Sequence, residues 1–159
     1  MINQIIPYVI LFGVTGSGLV AGVFFAFSSF VMKALARLPD EHGVAPMQSI
    51  NVVVLNRSFL TVFLGTALVT ILLITHSIFN WEDTNAILLF AGSLFYFVGS
   101  FLVTIVRNVP LNDALARVDT KEGESLTLWK DYLSKWTIWN HIRTIASFVA
   151  MVLFILALQ

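Results

Sequence analysis

Four stretches of the chain are apolar enough and long enough to cross a bilayer, and they alternate with segments in which nearly every charge is found. The apolar runs predict spanning helices at about 5–32, 56–76, 86–106 and 140–158. A helix needs about 20 such residues to cross a hydrocarbon core of about 30 Å. Two long polar segments, 33–55 and 107–139, and the short connection Ser77–Asn85 separate them. The pattern predicts an all-α protein, an integral membrane four-helix bundle built as a single transmembrane domain over 1–159. Helices 2 and 4 are too long for the bilayer and are expected to extend beyond it on the cytoplasmic side.

Local punctuation refines the elements. Lys33, Arg37 and the breaker pair Pro39-Asp40 close the first helix, and Pro46 suits the first turn of a second that runs to about His76. Asp83, Thr84 or Asn85 is available to cap the third helix. Pro110 disfavours helix at Val109, so that helix is expected to end there, with Asn112 or Asp113 capping a short piece from Ala114 to Val118. A charged turn, Asp119–Gly123, then leads into a last helix beginning at Glu124 or Ser125. Helix 1 carries Gly13, Gly16, Gly18 and Gly22, and the Gly18/Gly22 pair has the small-xxx-small spacing that lets helices approach closely. That approach serves packing inside the bundle or a homodimer through the helix 1 glycines. The first apolar run has no basic stretch before it and continues past Gly22, which reads as a retained helix rather than a cleaved signal. No internal repeat is visible.

Composition agrees with the pattern: 58% of residues are hydrophobic and 11% charged, against about a quarter charged in soluble domains. The net charge is zero, and nothing points to nucleic acid. The absence of cysteine excludes disulfides, thiolate metal sites, iron–sulfur clusters and cysteine nucleophiles. All nine Lys and Arg residues fall in or beside the two long polar segments. The positive-inside bias therefore places 33–55 and 107–139 in the cytoplasm and both termini outside, or in the periplasm, of a multi-pass plasma (inner) membrane protein. The lipid bilayer is its first partner, and a pocket made by the polar segments should open on the cytoplasmic side.

The chemistry concentrates where the last apolar run begins. On a helix Trp136, Trp139, Asn140 and Arg143 fall at i, i+3, i+4 and i+7, so two indoles, an amide and a guanidinium share one stripe. His141 stands about 100 degrees off that stripe, still within reach of a pocket on its side. Tryptophan and arginine also anchor helices at headgroup level without any chemistry. Polar groups at the edge of an apolar segment are costly unless partnered. Arg57, Arg107 and Arg143 would repel one another without shared acceptors or an anionic ligand between them. Asp113 and Asp131 are available as partners. With two histidines at most on this side, and carboxylates confined to the connections, neither a metal site nor a haem is expected.

Several motifs in order, Gly22-Val-Phe-Phe-Ala-Phe-Ser28 and Phe30-Val-Met32, Met47-Gln-Ser-Ile-Asn51 with Asn56-Arg57, Arg107-Asn-Val-Pro-Leu-Asn112 and Trp136-x-x-Trp139-Asn-His-Ile-Arg143-Thr144, resemble the anthrone oxygenase-like family of small four-helix membrane proteins. The resemblance covers nearly the whole chain. It implies oxidation of a flat aromatic, anthrone-like substrate, with dioxygen as co-substrate and no bound cofactor. Such chemistry needs a base and a holder for an oxyanion. His141 has a suitable intrinsic pKa for the base. Arg57, Arg107 and Arg143 would hold the anion, Asn51, Asn56, Asn108, Asn112 and Asn140 would act as neutral donors, and Trp136 and Trp139 would stack on the ligand. Two other readings stay open. The same polar cluster serves equally as a staple in a non-catalytic structural, partner- or ligand-binding membrane protein. A small-molecule carrier would use ionisable or unwound positions at mid-bilayer, where helices 1 and 3 show only Gly, Ser and Thr.

Overall fold

The structure is a computed structural model that describes residues 2–118 and 125–159; the charged turn expected at Asp119–Gly123 lies outside the described residues. No strand occurs among the described residues. The chain runs α1 (Ile2–Ala26), α2 (Met32–Leu35), α3 (Asp40–Val53), α4 (Arg57–Phe79), α5 (Ala86–Tyr96), α6 (Val109–Ala116) and α7 (Ser125–Leu156). A π-helical turn, Phe27–Val31, joins α1 to α2, and two more, Phe97–Leu102 and Thr104–Asn108, join α5 to α6. Four continuous helical stretches are long and apolar enough to cross a membrane: Gln4–Leu35, Arg57–Phe79, Ala86–Ala116 and Thr127–Leu156. The protein is thus a multi-pass membrane protein.

Two boundaries and one cap differ from the sequence reading. Helix 2 is not continuous from Pro46: α3 already begins at Asp40, and the chain bends at Val54–Asn56 before α4. The bend is made by Asn56, whose extended backbone ends α3 and whose Oδ1 accepts the Phe59 N–H at 3.0 Å. Its Nδ2 donates back to the Val53 carbonyl at 3.0 Å, so one side chain satisfies backbone groups of two helices. Helix 3 does not stop at Pro110. The wide turn ahead of it, closed by the Val109 N–H on the Thr104 carbonyl, leaves room for the ring, and the helix continues to Ala116. Asn85 stands at the start of α5 but does not cap it; its Nδ2 donates instead to the Ala157 carbonyl, just past the end of α7, at 3.1 Å. Much of the expected polar segment 33–55 is helix, and most of 107–139 is α6 and the first half of α7.

Packing explains the arrangement. Helix α7 lies against α1 and α5, and α4 against the same two. The main core joins them through residues such as Val20, Phe24, Phe63, Leu73, Leu89, Tyr96 and Phe154. Phe154 is fully buried between two glycines: a Cβ at Gly13 would come within 3.2 Å of its ring, and one at Gly92 within 3.0 Å. Gly18 is occupied from within the chain by Met151, whereas Gly22 faces open space. A second core, Met32, Leu35, Val44, Met47, Leu115, Trp129, Tyr132 and Trp136, packs α2, α3 and α6 on the first half of α7. It gives the polar end of the molecule an apolar interior of its own.

Two measurements check this packing. Gly16 lies directly against the Thr66 side chain, so Gly16→Leu should overpack the α1–α4 contact and cost about 1–3 kcal/mol, read as a lower thermal midpoint in detergent. Gly22→Ala, with nothing in its way, should leave that midpoint level or raise it. Asn56→Ala should cost about 1 kcal/mol through loss of the cap, and protease sensitivity at the α3–α4 bend should rise with it.

Candidate functional site

Below the main core, where α4 gives way to the bend and α3 turns beneath it, the helices enclose a cavity of about 480 Å³. That volume suits a small organic ligand, since such pockets run to about 300–1,000 Å³. Its walls come from Phe24 and Phe27 of the first spanning helix, Met47 and Asn51 of α3, and Phe59 and Phe63 of α4. Phe101, Thr104 and Asn112 of the third helix and Trp136 and Arg143 of α7 complete them. The lining is mostly aromatic and aliphatic, and polar groups reach it at few points.

Arg143 is the unusual one. Its side chain is only 4% exposed, and no carboxylate pairs with it: among the described residues the one ion pair is Lys135–Asp131, at 2.5 Å on the surface. The guanidinium is held instead by neutral groups. Nη2 donates to Asn140 Oδ1 at 2.6 Å and Nη1 to Thr104 Oγ1 at 3.2 Å, while Nε is buried with no hydrogen-bond partner. The group lies 4.1 Å from the Phe24 ring centre and 5.1 Å from that of Trp136, so two aromatic faces stabilise its charge.

Its holders are placed by the local helical geometry. Asn140, fully buried, donates to the Phe24 carbonyl and to Ser28 Oγ, each at 2.7 Å, and Ser28 meets Thr144 Oγ1 at 3.1 Å. The π turn at Phe27–Val31 begins just beyond Phe24 and includes Ser28. On the third helix Thr104 opens a π turn and donates to the Ser100 carbonyl at 2.8 Å, presenting its oxygen to Arg143. Wide turns of this kind cluster at functional sites, and here they flank Arg143 from both sides.

A second polar group lies nearer the α3 end. Asn112 Oδ1 accepts from Tyr132 Oη and from Trp136 Nε1, both at 2.8 Å, and Asn51 Nδ2 donates to Tyr132 Oη at 3.3 Å. Gln48 ties α3 to the end of α6 through the Leu115 and Val118 carbonyls, at 2.9 and 3.1 Å. Trp129, Tyr132 and Trp136 stack in a ladder with centroid spacings of 5.7 and 6.0 Å.

Of the residues expected at the site, Arg143, Trp136, Asn51 and Asn112 line the cavity, and Asn140 touches it through Arg143. The others are elsewhere. His141 is exposed on the outer side of α7 and does not line the cavity, because one residue past Asn140 the helix has already turned away. Arg107 is exposed and stacks 4.7 Å over the Trp139 ring, so these two satisfy each other on the outside. Arg57 is exposed at the first turn of α4, and Asn56 is its cap. Asn108 is buried and donates to the Trp136 carbonyl at 3.3 Å, a tie between the third helix and α7 whose own Oδ1 has no partner. Asp131 is engaged by Lys135 rather than by an arginine. Thr104, the ring of Phe24 and Tyr132 join the site without having been singled out for it. A signal existed for Thr104: Ser100, Thr104, Asn108 and Asn112 form a polar stripe at every fourth residue of an otherwise apolar helix. Among the described residues no cluster of three or more His, Cys, Asp or Glu could hold a metal ion.

No curated protein and no solved structure matches the chain. A family model does: the one described as anthrone oxygenase matches residues 53–153, from the end of α3 to near the end of α7, and so takes in Arg143, Asn140, Thr104, Asn112 and Trp136. A match over that much of the chain places this multi-pass membrane protein in the anthrone oxygenase family.

Proposed function

We propose that the protein is a membrane-embedded oxygenase that takes a flat, anthrone-like aromatic substrate as its anion and oxidises it with dioxygen. The observation that carries this reading is the buried guanidinium of Arg143, without a carboxylate partner among the described residues, beside a cavity otherwise walled by aromatic and aliphatic side chains. Such a site favours a ligand that brings both a negative charge and an extended apolar surface.

The chemistry follows from the substrate. Loss of a proton from the benzylic methylene of an anthrone moves the electron pair onto the carbonyl oxygen, giving a phenolate-like anion. Arg143 stabilises that oxyanion, and the low-polarity surroundings strengthen the attraction. The electron-rich anion passes one electron to dioxygen, the two radicals join at the former methylene carbon as a peroxide anion, a proton returns to it from solvent, and loss of water from the resulting hydroperoxide leaves a ketone. Methylene plus dioxygen gives carbonyl plus water, so the substrate supplies all the electrons and no further reductant is required. His141, away from the cavity, is given no part in the proton transfer. The protein favours the ionised substrate by holding its charge, and the proton leaves to solvent. Trp136, Phe27 and Phe59 offer faces to the rings, and Asn112 and Asn51 offer polar contacts to substituents. With the Lys- and Arg-bearing segments in the cytoplasm, the cavity lies toward the cytoplasmic side and both termini are outside.

A structural role accounts better for part of the polar cluster. Asn56 caps α4, Asn108 ties the third helix to α7, and Asn140 bridges α1 and Arg143. These are staples, whereas Arg143 is a buried charge that the fold alone does not require.

Oxygen uptake by the purified protein with an anthrone, corrected for spontaneous autoxidation, tests the proposal. Arg143→Met should lower the enzymic rate about 100-fold or more, while its thermal midpoint stays level or rises because an uncompensated buried charge has been removed. His141→Ala should keep the parent rate. A folded Arg143→Met protein with undiminished uptake would sink the proposal, and a marked loss of stability without loss of rate would make Arg143 another staple.

A further inference from the structure

The cavity has an outer rim, and its composition is informative. Helix α4 packs on α5 and on the first π turn of the third helix, Phe97–Leu102. Beyond that level the rim is formed by Val52 and Leu55 at the α3–α4 bend and by Ile105 and Val109 on the third helix. All four are exposed large apolar residues, Val52 and Leu55 at 72% and 63%. Another cavity, about 440 Å³ at the opposite end of the helices, has a different rim, with His76, Asn80, Asp83, Thr84 and Asn85 around it. One mouth suits water and the other suits hydrocarbon.

We infer that the Arg143 cavity is loaded sideways, from the bilayer, through an opening between the α3–α4 bend and the Ile105–Val109 edge of the third helix. Its ligands are therefore lipid-dissolved amphiphiles, aromatic acids or phenols whose apolar body partitions into the membrane. This rests on the reading of Arg143 as an anion site and adds the route and the physical state of the ligand. The geometry makes the two ends of such a molecule separable: the charge goes inward to Arg143, and the hydrocarbon body passes a rim that offers it no polar competitor. Water would reach the cavity at another place, the α3–α6 end, where Gln48, Asp113 and Ala116 line it. Val52 and Leu55 stand just ahead of Arg57, where the second spanning stretch begins, and Ile105 and Val109 lie inside the third, so this opening is at the headgroup edge of the hydrocarbon, where exposed apolar side chains can meet lipid.

The test uses the full chain in nanodiscs with anthracene carboxylate, a flat anionic probe whose own fluorescence reports binding. Stopped-flow mixing is run on the parent, Val109→Trp, Leu55→Trp, Val109→Ala and Ala116→Trp, with Arg143→Met as the site control. Lateral loading predicts association slowed about tenfold by either tryptophan at the rim, with equilibrium affinity changed by about twofold or less, and association level or faster in Val109→Ala. It also predicts that half-saturation follows the mole fraction of probe in lipid when the lipid-to-protein ratio is varied. Slowing by Ala116→Trp alone, with saturation following the aqueous concentration, overturns it in favour of entry from water. Binding that is absent in the parent, or equal in Arg143→Met, overturns the anion site itself and the portal with it, a result distinct from a wrong route.

Discussion

A guanidinium taken out of water has to be solvated by the protein, and among the described residues no carboxylate does it. The consequence reaches through three of the four spanning helices, the first, the third and the last. Asn140 presents its oxygen to Arg143 and anchors its amide nitrogen on the Phe24 carbonyl and Ser28 of the first helix. Thr104 of the third helix supplies another oxygen, and Phe24 and Trp136 supply ring faces. The irregular turns in the first and third helices occur at this level and not elsewhere among the described residues. Neutral solvation of this kind holds a cation in place without cancelling its charge, which leaves the field available to something that enters the cavity.

The molecule divides its labour between two interiors. The main core around Phe63, Tyr96 and Phe154 joins the spanning helices, while the second, around Met47, Leu115 and Trp129, fastens α3 and α6 to α7. The cavity lies between them and borrows walls from both: Phe24 and Phe63 from one, Met47 and Trp136 from the other. A site at such a seam is shaped by helices whose spacing is set above and below it. This allows an open volume in a protein where helices otherwise approach closely enough to need glycine.

Hydropathy alone located the four spanning helices, because a run of apolar residues long enough to cross a bilayer has few other uses. Trp136, Asn140 and Arg143 were also legible as one face, since helical periodicity is reliable over two turns. The boundaries failed where a side chain overrode a familiar rule. Pro110 lies inside a helix because a wide turn precedes it, and Asn56 breaks a stretch that reads as continuous because its amide can cap. Among the site residues, His141 drew attention by its chemistry although its angular position already placed it off the stripe. Arg57 and Arg107 shared the charge of Arg143 and the same end of the sequence pattern, but burial separates them, and burial depends on partners that a linear chain does not display. Thr104 escaped notice because a threonine in an apolar helix is commonplace until its fourfold repeat with Ser100, Asn108 and Asn112 is read as a stripe.

Phe154, held between Gly13 and Gly92, clasps three helices at one level. Arg143 lies eleven residues earlier on α7, roughly 16 Å away along the axis at the standard rise. With backbone approach on two sides of one rigid ring, that level has little freedom to widen. The cavity level, lined by side chains and flanked by irregular turns, has more. Rigid helices held at Phe154 would act like tongs, since a small rotation about a stiff point makes a larger change in the gap at the far end. A substitution at either glycine would alter the leverage on the cavity without touching any residue that lines it.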